Sequence, residues 1–600
     1  MEWTYRRLTA AEVAQLERQG NLSDNWGSVQ VAGPFSVECV WNSTFDGEVK
    51  LGSQGKGRLQ KGGLSLREGI YHSALADVEV GDHVAIHNVR MLSGYAIGNG
   101  TLLFNIEEMT AGRGPEAMAW LEPMNENGGR KIRPFPGMTI GDAYMWARYR
   151  GRKLFMSQLE QFTGEVLSAD GGRWARVGDG CVVKNCKAIR NVVVRSKEDD
   201  PTCVDGCIVL SDGVVGYGCT LEHGVMALRF LLGEHVHLEM GLRLNDTVVG
   251  DNSTLARCEV GNSIIFPAHE QHHNNSFLIA GLIMGQSNIA AGGTIGSNHN
   301  SRTADNELAA GRGFWPGLCC SFKHSSRFAS YCLLAKGDYP AELDIKLPFA
   351  LVNNNVSKNQ LEVMPAYWWL YNMYAMDRNS KKFAKRDKRV VKAQHIEFDN
   401  LAPDTAEEIL TGRELLREWM KAAEGNTVYA RGMEKSKRPT VVLKAAEGLK
   451  AYEEMLVMYA MKSLTEHYGE QLPPASLGEG QREKAWVNIG GQLVVRQDME
   501  RLIADVEQGV VRSWKELHGR MDSLWKGYAE QRRKHAYHVL CVLAGVETID
   551  ADTWGRMTER YRQVLAYVEE QKVASRRKDE ENVFRQMTYW DDAEREAVQG

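Results

Sequence analysis

The sequence has little proline and no long apolar run. Only 15 of its 600 residues are proline, against 59 glycines, and this surplus indicates many tight corners rather than a proline-rich linker. No stretch is long and apolar enough to predict a membrane-spanning helix. Residues 1–7 show no apolar signal core. We therefore expect a cytoplasmic protein without a membrane span.

Neither sign of charge is in large excess, and the cysteines lack the spacing of a zinc site. The 72 basic and 77 acidic residues give a formal net charge of -5, so no global field favours nucleic acid. The 11 cysteines contain no CxxC pair, and we expect buried reduced thiols rather than a disulfide framework. With 43% hydrophobic residues, the chain has the composition of a globular protein with a buried core.

Nucleotide-binding and hydrolase signatures are also missing. The sequence contains neither a GxxxxGK[ST] phosphate loop nor a GxSxG elbow. The segment from His269 to His272 has the wrong spacing for the HExxH metalloprotease motif. The triplet Gly311-Arg312-Gly313 is followed by Phe314 and does not continue into a GxGxxG fingerprint. These absences disfavour, without excluding, a sugar nucleotidyltransferase.

Changes in the residue pattern, between patterns typical of strands and of helices, divide the chain into six predicted segments. They are a helical lead-in (1–28), a first β region (29–106), a mixed insertion with a helix (107–173), the main β region (174–352), an aromatic cap and linker (353–402) and a helical C-terminal domain (403–600). The insertion is expected to contain a helix over residues 140–162. Long amphipathic helices are predicted over residues 405–423, 440–468, 499–543 and 552–577.

Aliphatic residues recur every five or six positions in the main β region. They stand at Leu232, Leu238, Leu244, Val249, Leu255, Val260 and Ile265, and the beat resumes at Phe277, Ile283, Ile289 and Ile295. A six-residue unit is too short for a helix pair but suits a short strand with a glycine corner. Three such units would close one triangular coil, with the aliphatic side chains stacked inside. The alternative is an ordinary β-meander with accidental spacing.

This spacing of aliphatic residues resembles the repeat of the hexapeptide-repeat superfamily of left-handed parallel β-helices. That superfamily is best known from acyltransferases that act on sugars and nucleotide sugars. The layout also resembles an uncharacterised family of large Bacteroidota-type hexapeptide-repeat proteins. The clear match covers residues 230–300, with weaker matches over 70–105 and 177–345. The resemblance implies a β-solenoid followed by a large all-α C-terminal domain. It also implies a homotrimer with active sites in the clefts between adjacent β-helices.

A polar segment, residues 267–276, interrupts the aliphatic beat and is the predicted active site. Polar groups at core positions are costly unless they are exposed or hydrogen-bonded. In acyltransferases that this chain resembles, a histidine removes the proton from the acceptor as it attacks an acyl thioester, and imidazole suits this role because its pKa lies near neutral. The predicted base is His273, the alternates are His269, His272 and His299, and Glu270 would orient an imidazole.

Further polar residues complete the predicted site. The residues expected to hold the substrate are Asn275, Asn298, Asn300 and Arg302. Those expected to contact the cofactor are Lys323, His324 and Arg327. The structural alternatives are that the asparagines cap corners and that Arg302 pairs with a local carboxylate. The basic stretch over residues 381–389 is interpreted as a solvated linker or phosphate-contacting rim rather than a nucleic-acid site.

The resemblance implies transfer of an acyl group from acyl-CoA or acyl-carrier protein to a sugar or nucleotide sugar, with no tightly bound cofactor. One alternative is a non-catalytic protein that binds a sugar phosphate or nucleotide sugar as a scaffold. Another is a nucleotidyltransferase-like enzyme of nucleotide-sugar metabolism. Zinc is a further alternative, because similar carbonic anhydrases hold it with three histidines. Histidines are plentiful here, but the pair spacing of that class is absent.

Overall fold

The structure is a computed structural model that describes residues 4–169, 174–296, 306–423 and 425–599. Within these ranges, short strands dominate up to about residue 364 and helices dominate the rest of the chain. Most strands are two to seven residues long, as expected where an aliphatic residue recurs every few positions.

The largest sheet among the described residues contains 25 strands. Its strands are mostly parallel: Val260 pairs with Leu278, and Leu278 with Ile295. The exception is Tyr5–Arg7, which is antiparallel to Val29–Ala32. The strands are Tyr5–Arg7, Leu22–Ser23, Val29–Ala32, Thr44–Asp46, Val49–Leu51, Ala74–Ala76, Glu79–Val80, Leu92–Ser93, Ala96–Ile97, Glu108–Thr110, Arg176–Val177, Ala188–Val194, Val209–Val215, Met226–Leu232, Arg243–Val249, Glu259–Gly261, Ile264–Ile265, Phe277–Ile279, Gly281–Ile283, Thr294–Ile295, Leu308–Ala310, Ser321–Phe322, Arg327–Phe328, Asp338–Tyr339 and Asp344–Ile345.

A second sheet has ten parallel strands that follow one another in chain order. Leu221 pairs with Leu238, and Leu238 pairs with Leu255, so the recurring aliphatic residues stack in register and are buried. The strands are Val40–Trp41, Gly69–Tyr71, Ala85–Val89, Leu102–Ile106, Val182–Lys184, Cys203–Asp205, Thr220–Glu222, His237–Glu239, Thr254–Ala256 and Glu270–Gln271. The last strand lies inside the polar segment that interrupts the aliphatic beat.

A third sheet of six strands connects the β regions to the helical part of the chain. Its strands, in order, are Trp315–Pro316, Leu333–Leu334, Leu351–Asn355, Gln360–Met364, Thr440–Val442 and Val428–Ala430. Two separate hairpins are formed by Arg58–Lys61 with Leu64–Arg67 and by Trp486–Ile489 with Gln492–Val495.

The predicted fold, a left-handed parallel β-helix with an all-α C-terminal domain, is wrong. The described strands form the sheets above, among which no closed or solenoid sheet is found. The aliphatic beat correctly indicates which side chains are buried on short strands, but this period does not determine how the strands combine into sheets. A helical C-terminal region exists, yet it is not all-α, because the β-branched run Thr440–Val442 pairs with Gln360–Met364.

The helices of the described residues lie mostly in the last third of the chain. They are α1 (Ala10–Arg18), α2 (Ile140–Arg148), α3 (Lys153–Ser168), α4 (Tyr367–Tyr371), α5 (Met373–Arg386), α6 (Pro403–Lys421), α7 (Ala445–Tyr468), α8 (Arg496–Glu507), α9 (Trp514–Ala544), α10 (Ala551–Glu580), α11 (Val583–Gln586) and α12 (Asp592–Gln599). None of those in the described ranges combines the length and apolarity that crossing a membrane requires.

Two predicted helices are each divided in two. The helix expected over residues 140–162 separates into α2 and α3, and the helix expected over 499–543 separates into α8 and α9. Gly509, with φ +70°, follows the end of α8, and Ser513 caps α9 by accepting a hydrogen bond from the amide of Glu516. The helices predicted over 405–423 and 552–577 are confirmed by α6 and α10.

One continuous hydrophobic core joins the strands to the C-terminal helices. The hydroxyl of Tyr452 on α7 donates a hydrogen bond to the carbonyl of Pro348, 2.7 Å away. Trp368 on α4 packs against Trp315 with ring centroids 5.6 Å apart. These contacts hold α6, which packs on α7, against the strands near Arg327 and Asp344.

Candidate functional site

The polar segment 267–276, called the histidine segment below, is largely satisfied by its own neighbours. His269 is fully buried, and its Nδ1 accepts a hydrogen bond from the Ser287 hydroxyl at 2.8 Å. Its Nε2 lies 3.2 Å from the Gln271 side-chain oxygen, to which it donates. Burial lowers the pKa of His269 to about 4. His269 is therefore neutral and in contact with the core, not with solvent.

Glu270 is surrounded by cations from the basic stretch of the linker. Its carboxylate lies 3.0 Å from Arg386, 3.3 Å from Lys382 and 3.1 Å from His272. Lys382 and Arg386 belong to α5, which thus lies over the histidine segment. This part of the basic stretch is occupied by ion pairs within the chain and is not a free phosphate-contacting rim.

His273 and Asn275 are exposed. The His273 ring contacts His272, with centroids 4.4 Å apart. Asn275 adopts φ +61°, a conformation that asparagine tolerates well. Asn275 lines an open surface groove of about 780 Å³, together with Arg243, Arg257 and other residues, but His273 does not.

The other predicted site residues are dispersed. Lys323 pairs with Glu342 at 3.1 Å, and His324 Nε2 lies 2.8 Å from the carbonyl of Ile279. Arg327 pairs with Asp344 and lines a different cavity, described next. His299, Asn298, Asn300 and Arg302 lie outside the described residues. Among the described residues, no group of three or more His, Cys, Asp or Glu side chains is placed to hold a metal ion.

A cavity of about 930 Å³ lies between the β strands, α6 and the segment 482–488, and is called the central cavity below. Its basic lining residues are Arg312, Arg327, Lys346, Arg413, Arg482, Lys484 and Arg496. Its acidic lining residues are Asp344, Asp404, Glu407, Glu408 and Glu414. Phe328 and Trp486 also line it. The lining of the cavity therefore combines both charge signs with aromatic rings.

The α6 wall supplies most of the carboxylates. Pro403 stands in the first turn of α6, where its missing N–H costs nothing, and Asp404 in the same turn is favoured by the helix dipole. Asp404, Glu407 and Glu408 follow helical spacing and so face the same side. All three line the cavity, so this acidic face of the helix is directed into it.

Arg312 anchors the start of α6. Its guanidinium, which is 2% exposed, makes two hydrogen bonds to the Asp404 carboxylate, of 2.9 and 2.7 Å. A third hydrogen bond of 2.8 Å reaches the carbonyl of Asp399. Such a bidentate pair is strong and directional. It holds the β strands and α6 at a constant separation across the cavity.

Glu407 is held by a chain of hydrogen bonds that ends in the helical core. His535 Nε2 donates to the Glu407 carboxylate at 2.8 Å, and the Tyr459 hydroxyl donates to His535 Nδ1 at 2.7 Å. Arg482 lies 2.8 Å from the same carboxylate. Burial lowers the pKa of His535, which favours this neutral, bridging imidazole.

Asn488 stands at the edge of the cavity with an unused donor. The Gly490 and Gly491 residues that follow have φ of +66° and +114°, which permits the tight turn of the hairpin. That turn brings the amide of Gly491 to the Asn488 Oδ1 at 2.7 Å. Asn488 is only 8% exposed, and its Nδ2 has no hydrogen-bond partner among the described residues. A buried amide without a partner is rare in a folded protein unless a ligand or water completes it.

Two cations in the cavity wall form no ion pair with a described carboxylate. Lys484 and Arg496 line the cavity and are exposed, and neither forms an ion pair with a residue that the structure describes. By contrast, Arg312, Arg327 and Arg482 each pair with a carboxylate. Among the described residues, the cavity wall therefore contains two exposed cations without an ion pair and one buried amide donor without a hydrogen-bond partner.

Of the residues that line this cavity, only Arg327 is among the predicted site residues. Arg312 lies in the triplet Gly311-Arg312-Gly313, which does not continue into a nucleotide fingerprint. The signals that point to the cavity are an arginine between two glycines after a strand, an acidic first turn on α6, and the Asn-Ile-Gly-Gly turn at Asn488. Each is weak alone, since the residues meet only in the folded chain.

The chain is similar to known proteins along nearly its whole length. It matches the family described as "Domain of unknown function (DUF4954)" over residues 5–420 and the one described as "Domain of unknown function (DUF6819)" over residues 465–599. It is 40% identical over 652 aligned positions to an "Uncharacterized protein" of Treponema pallidum (strain Nichols), covering 99% of this chain and 90% of the relative.

These matches correct the resemblance drawn from the sequence. The matched families do not include the hexapeptide-repeat superfamily, so the assignment to a Bacteroidota-type branch of it is wrong. The short aliphatic period is a consequence of short stacked strands and does not identify a family. The chain belongs to the DUF4954 family, and its residues 465–599 are similar to the DUF6819 family.

Proposed function

We propose that the protein binds a phosphorylated sugar or nucleotide sugar in the central cavity. The observation that carries this proposal is the set of uncommitted donors in one wall region, namely Lys484, Arg496 and the Asn488 Nδ2. Phosphate oxygens are acceptors that arginine, lysine and amide donors bind well. The phosphate groups of a ligand would supply acceptors for these donors.

The remaining lining suits a sugar. The carboxylates of Asp404 and Glu407 are fixed by Arg312 and His535, and fixed carboxylates accept hydrogen bonds from sugar hydroxyls. The partly exposed ring of Trp486 offers apolar surface for the C–H face of a sugar ring. The volume of about 930 Å³ is at the large end of the usual range for small-molecule sites, roughly 300–1,000 Å³.

Calorimetric titration tests the proposal directly. UDP-N-acetylglucosamine and glucose 1-phosphate are expected to bind, and unphosphorylated glucose to bind more weakly or not at all. The double variant Lys484→Ala/Arg496→Ala should lose at least about tenfold in affinity, because hydrogen bonds to charged groups contribute roughly 1.5–3 kcal/mol. The matched control is Lys515→Ala/Lys526→Ala on α9, which removes two exposed lysines outside the cavity.

Two results would overturn the proposal. One is the absence of binding for every phosphorylated probe at millimolar concentration. The other is an equal affinity of the cavity double variant and the α9 control for the same probe.

Acyl transfer is the second candidate function. The observation in its favour is that Asn275, one of the predicted substrate residues, lines the open groove of about 780 Å³ near the histidine segment. Incubation with acetyl-CoA and an amino sugar should then release free thiol, and His273→Ala should lower the rate by about 10²–10⁴-fold if His273 is the base. No thiol release, or an unchanged rate in the variant, would exclude this role. The homotrimer and the cytoplasmic location likewise stay predictions.

A further inference from the structure

Glu408 is the one acidic residue of the central cavity that has no ion pair with a described residue. Asp404 pairs with Arg312, Glu407 with Arg482, Asp344 with Arg327 and Glu414 with Arg413. The Glu408 carboxyl accepts a hydrogen bond from the Ser330 amide, at 2.9 Å. The carboxyl group is partly buried in the cavity wall between α6 and the strand that ends at Phe328.

The groups that face Glu408 disfavour its charged form. Asp404 lies one helical turn away on α6 and carries a negative charge, and Arg312, the cation that acts on Glu408, is paired with Asp404. From the other side, Cys332 of the strands and Tyr452 of α7 are both buried. Burial and then the Asp404 charge raise the pKa of Glu408 to about 7.

We propose that Glu408 is the proton-exchanging residue of the central cavity and takes up a proton from solvent when a phosphorylated ligand binds. This proposal rests on the proposed function. A carboxylate only accepts hydrogen bonds and repels a phosphate oxygen, whereas a protonated carboxyl has an O–H to donate to it. The negative charge of the ligand therefore favours the protonated form, so binding and proton uptake are linked. No covalent bond of the ligand changes in this step.

The experiment is calorimetric titration with UDP-N-acetylglucosamine, whose pyrophosphate does not titrate near neutral pH, in two buffers of different ionisation enthalpy. At pH 8 the free Glu408 is mostly ionised, so the wild-type protein is expected to take up close to one proton per bound ligand. In Glu408→Gln the side-chain amide donates the hydrogen bond without first binding a proton from solvent. Proton uptake should therefore vanish, and affinity at pH 8 should rise by up to about tenfold. The matched control is Glu418→Gln, an exposed residue of the same helix outside the cavity, which should keep the wild-type uptake.

A second measurement uses the wild-type protein alone. The Kd for the same probe should rise about tenfold per pH unit above pH 7. Binding without proton uptake, a Kd independent of pH, or uptake that persists in Glu408→Gln overturns the role of Glu408 and leaves the proposed function intact. Absence of binding overturns both.

Discussion

The histidine segment and the central cavity are both rich in polar side chains, but they differ in what those side chains have left to bind. In the histidine segment, His269 uses both ring nitrogens on Ser287 and Gln271, and Glu270 is enclosed by cations. In the central cavity, the Asn488 Nδ2 has no partner among the described residues. This difference favours the central cavity over the histidine segment as the proposed ligand site, because its unpartnered donor lies in the wall of a cavity.

The largest expected effect is on the free energy of unfolding and concerns the ion pair between Arg312 and Asp404 in the wall of the central cavity. Arg312→Met should destabilise the protein by about 3–5 kcal/mol, because it leaves the Asp404 carboxylate without its buried partner. Chemical denaturation measures the loss. Arg327→Met is the control, since its ion pair with Asp344 is exposed and should contribute less than about 1 kcal/mol. Equal stabilities of the two variants would mean that Arg312 does not hold the cavity together.

The next effect tests the histidine segment through pH. An unfolded histidine protonates near pH 6.5, whereas the pKa of folded His269 is about 4. Between these pH values the unfolded state binds more protons than the folded state. The contribution of neutral His269 to the free energy of unfolding is therefore complete above pH 6.5 and is lost as pH falls toward 4. The loss amounts to about 3 kcal/mol.

Denaturation curves between these pH values measure this contribution. His269→Gln should remove that part of the pH dependence, and the exposed His273→Gln should leave it unchanged. If both variants keep the wild-type pH dependence, His269 is not a buried neutral residue.

A smaller effect on stability is expected at the central cavity, where His535, like His269, is a buried histidine that is hydrogen-bonded through both ring nitrogens. Tyr459→Phe removes the hydroxyl that donates to His535 Nδ1 and should cost about 1 kcal/mol or slightly more, since the buried nitrogen is left without a partner. Denaturation again gives the value. Tyr429→Phe, on an exposed tyrosine, should change stability by less than about 0.5 kcal/mol. Comparable losses in the two variants would contradict the bridging role of His535.

The sequence predicts burial well and sheet arrangement poorly. Leu238 and Leu255 were expected inside, and both are fully buried and paired in register. Burial follows from the local alternation of side chains, so a single strand reveals it. The way in which 25 strands join into one sheet depends on contacts between distant segments. The local period does not contain that information.

The central cavity is not predicted from the sequence for the same reason, because its residues come from distant segments of the chain. Arg312 and Asp404 are 92 residues apart, and Glu407 meets a histidine 128 residues away. The histidine segment, by contrast, attracted attention because its polar residues are contiguous. The sequence predicts His269 as an alternate base, but in the structure Ser287 and Gln271 occupy both of its ring nitrogens.

The most direct test of the central claim is calorimetric titration of UDP-N-acetylglucosamine into the wild type, Asn488→Asp and His273→Ala. The aspartate keeps the acceptor for the Gly491 amide but replaces the free donor with a charge that repels phosphate. We predict that Asn488→Asp loses at least about tenfold in affinity and that His273→Ala keeps the wild-type Kd. Wild-type affinity in Asn488→Asp together with lost binding in His273→Ala would contradict the account and return the ligand to the histidine segment.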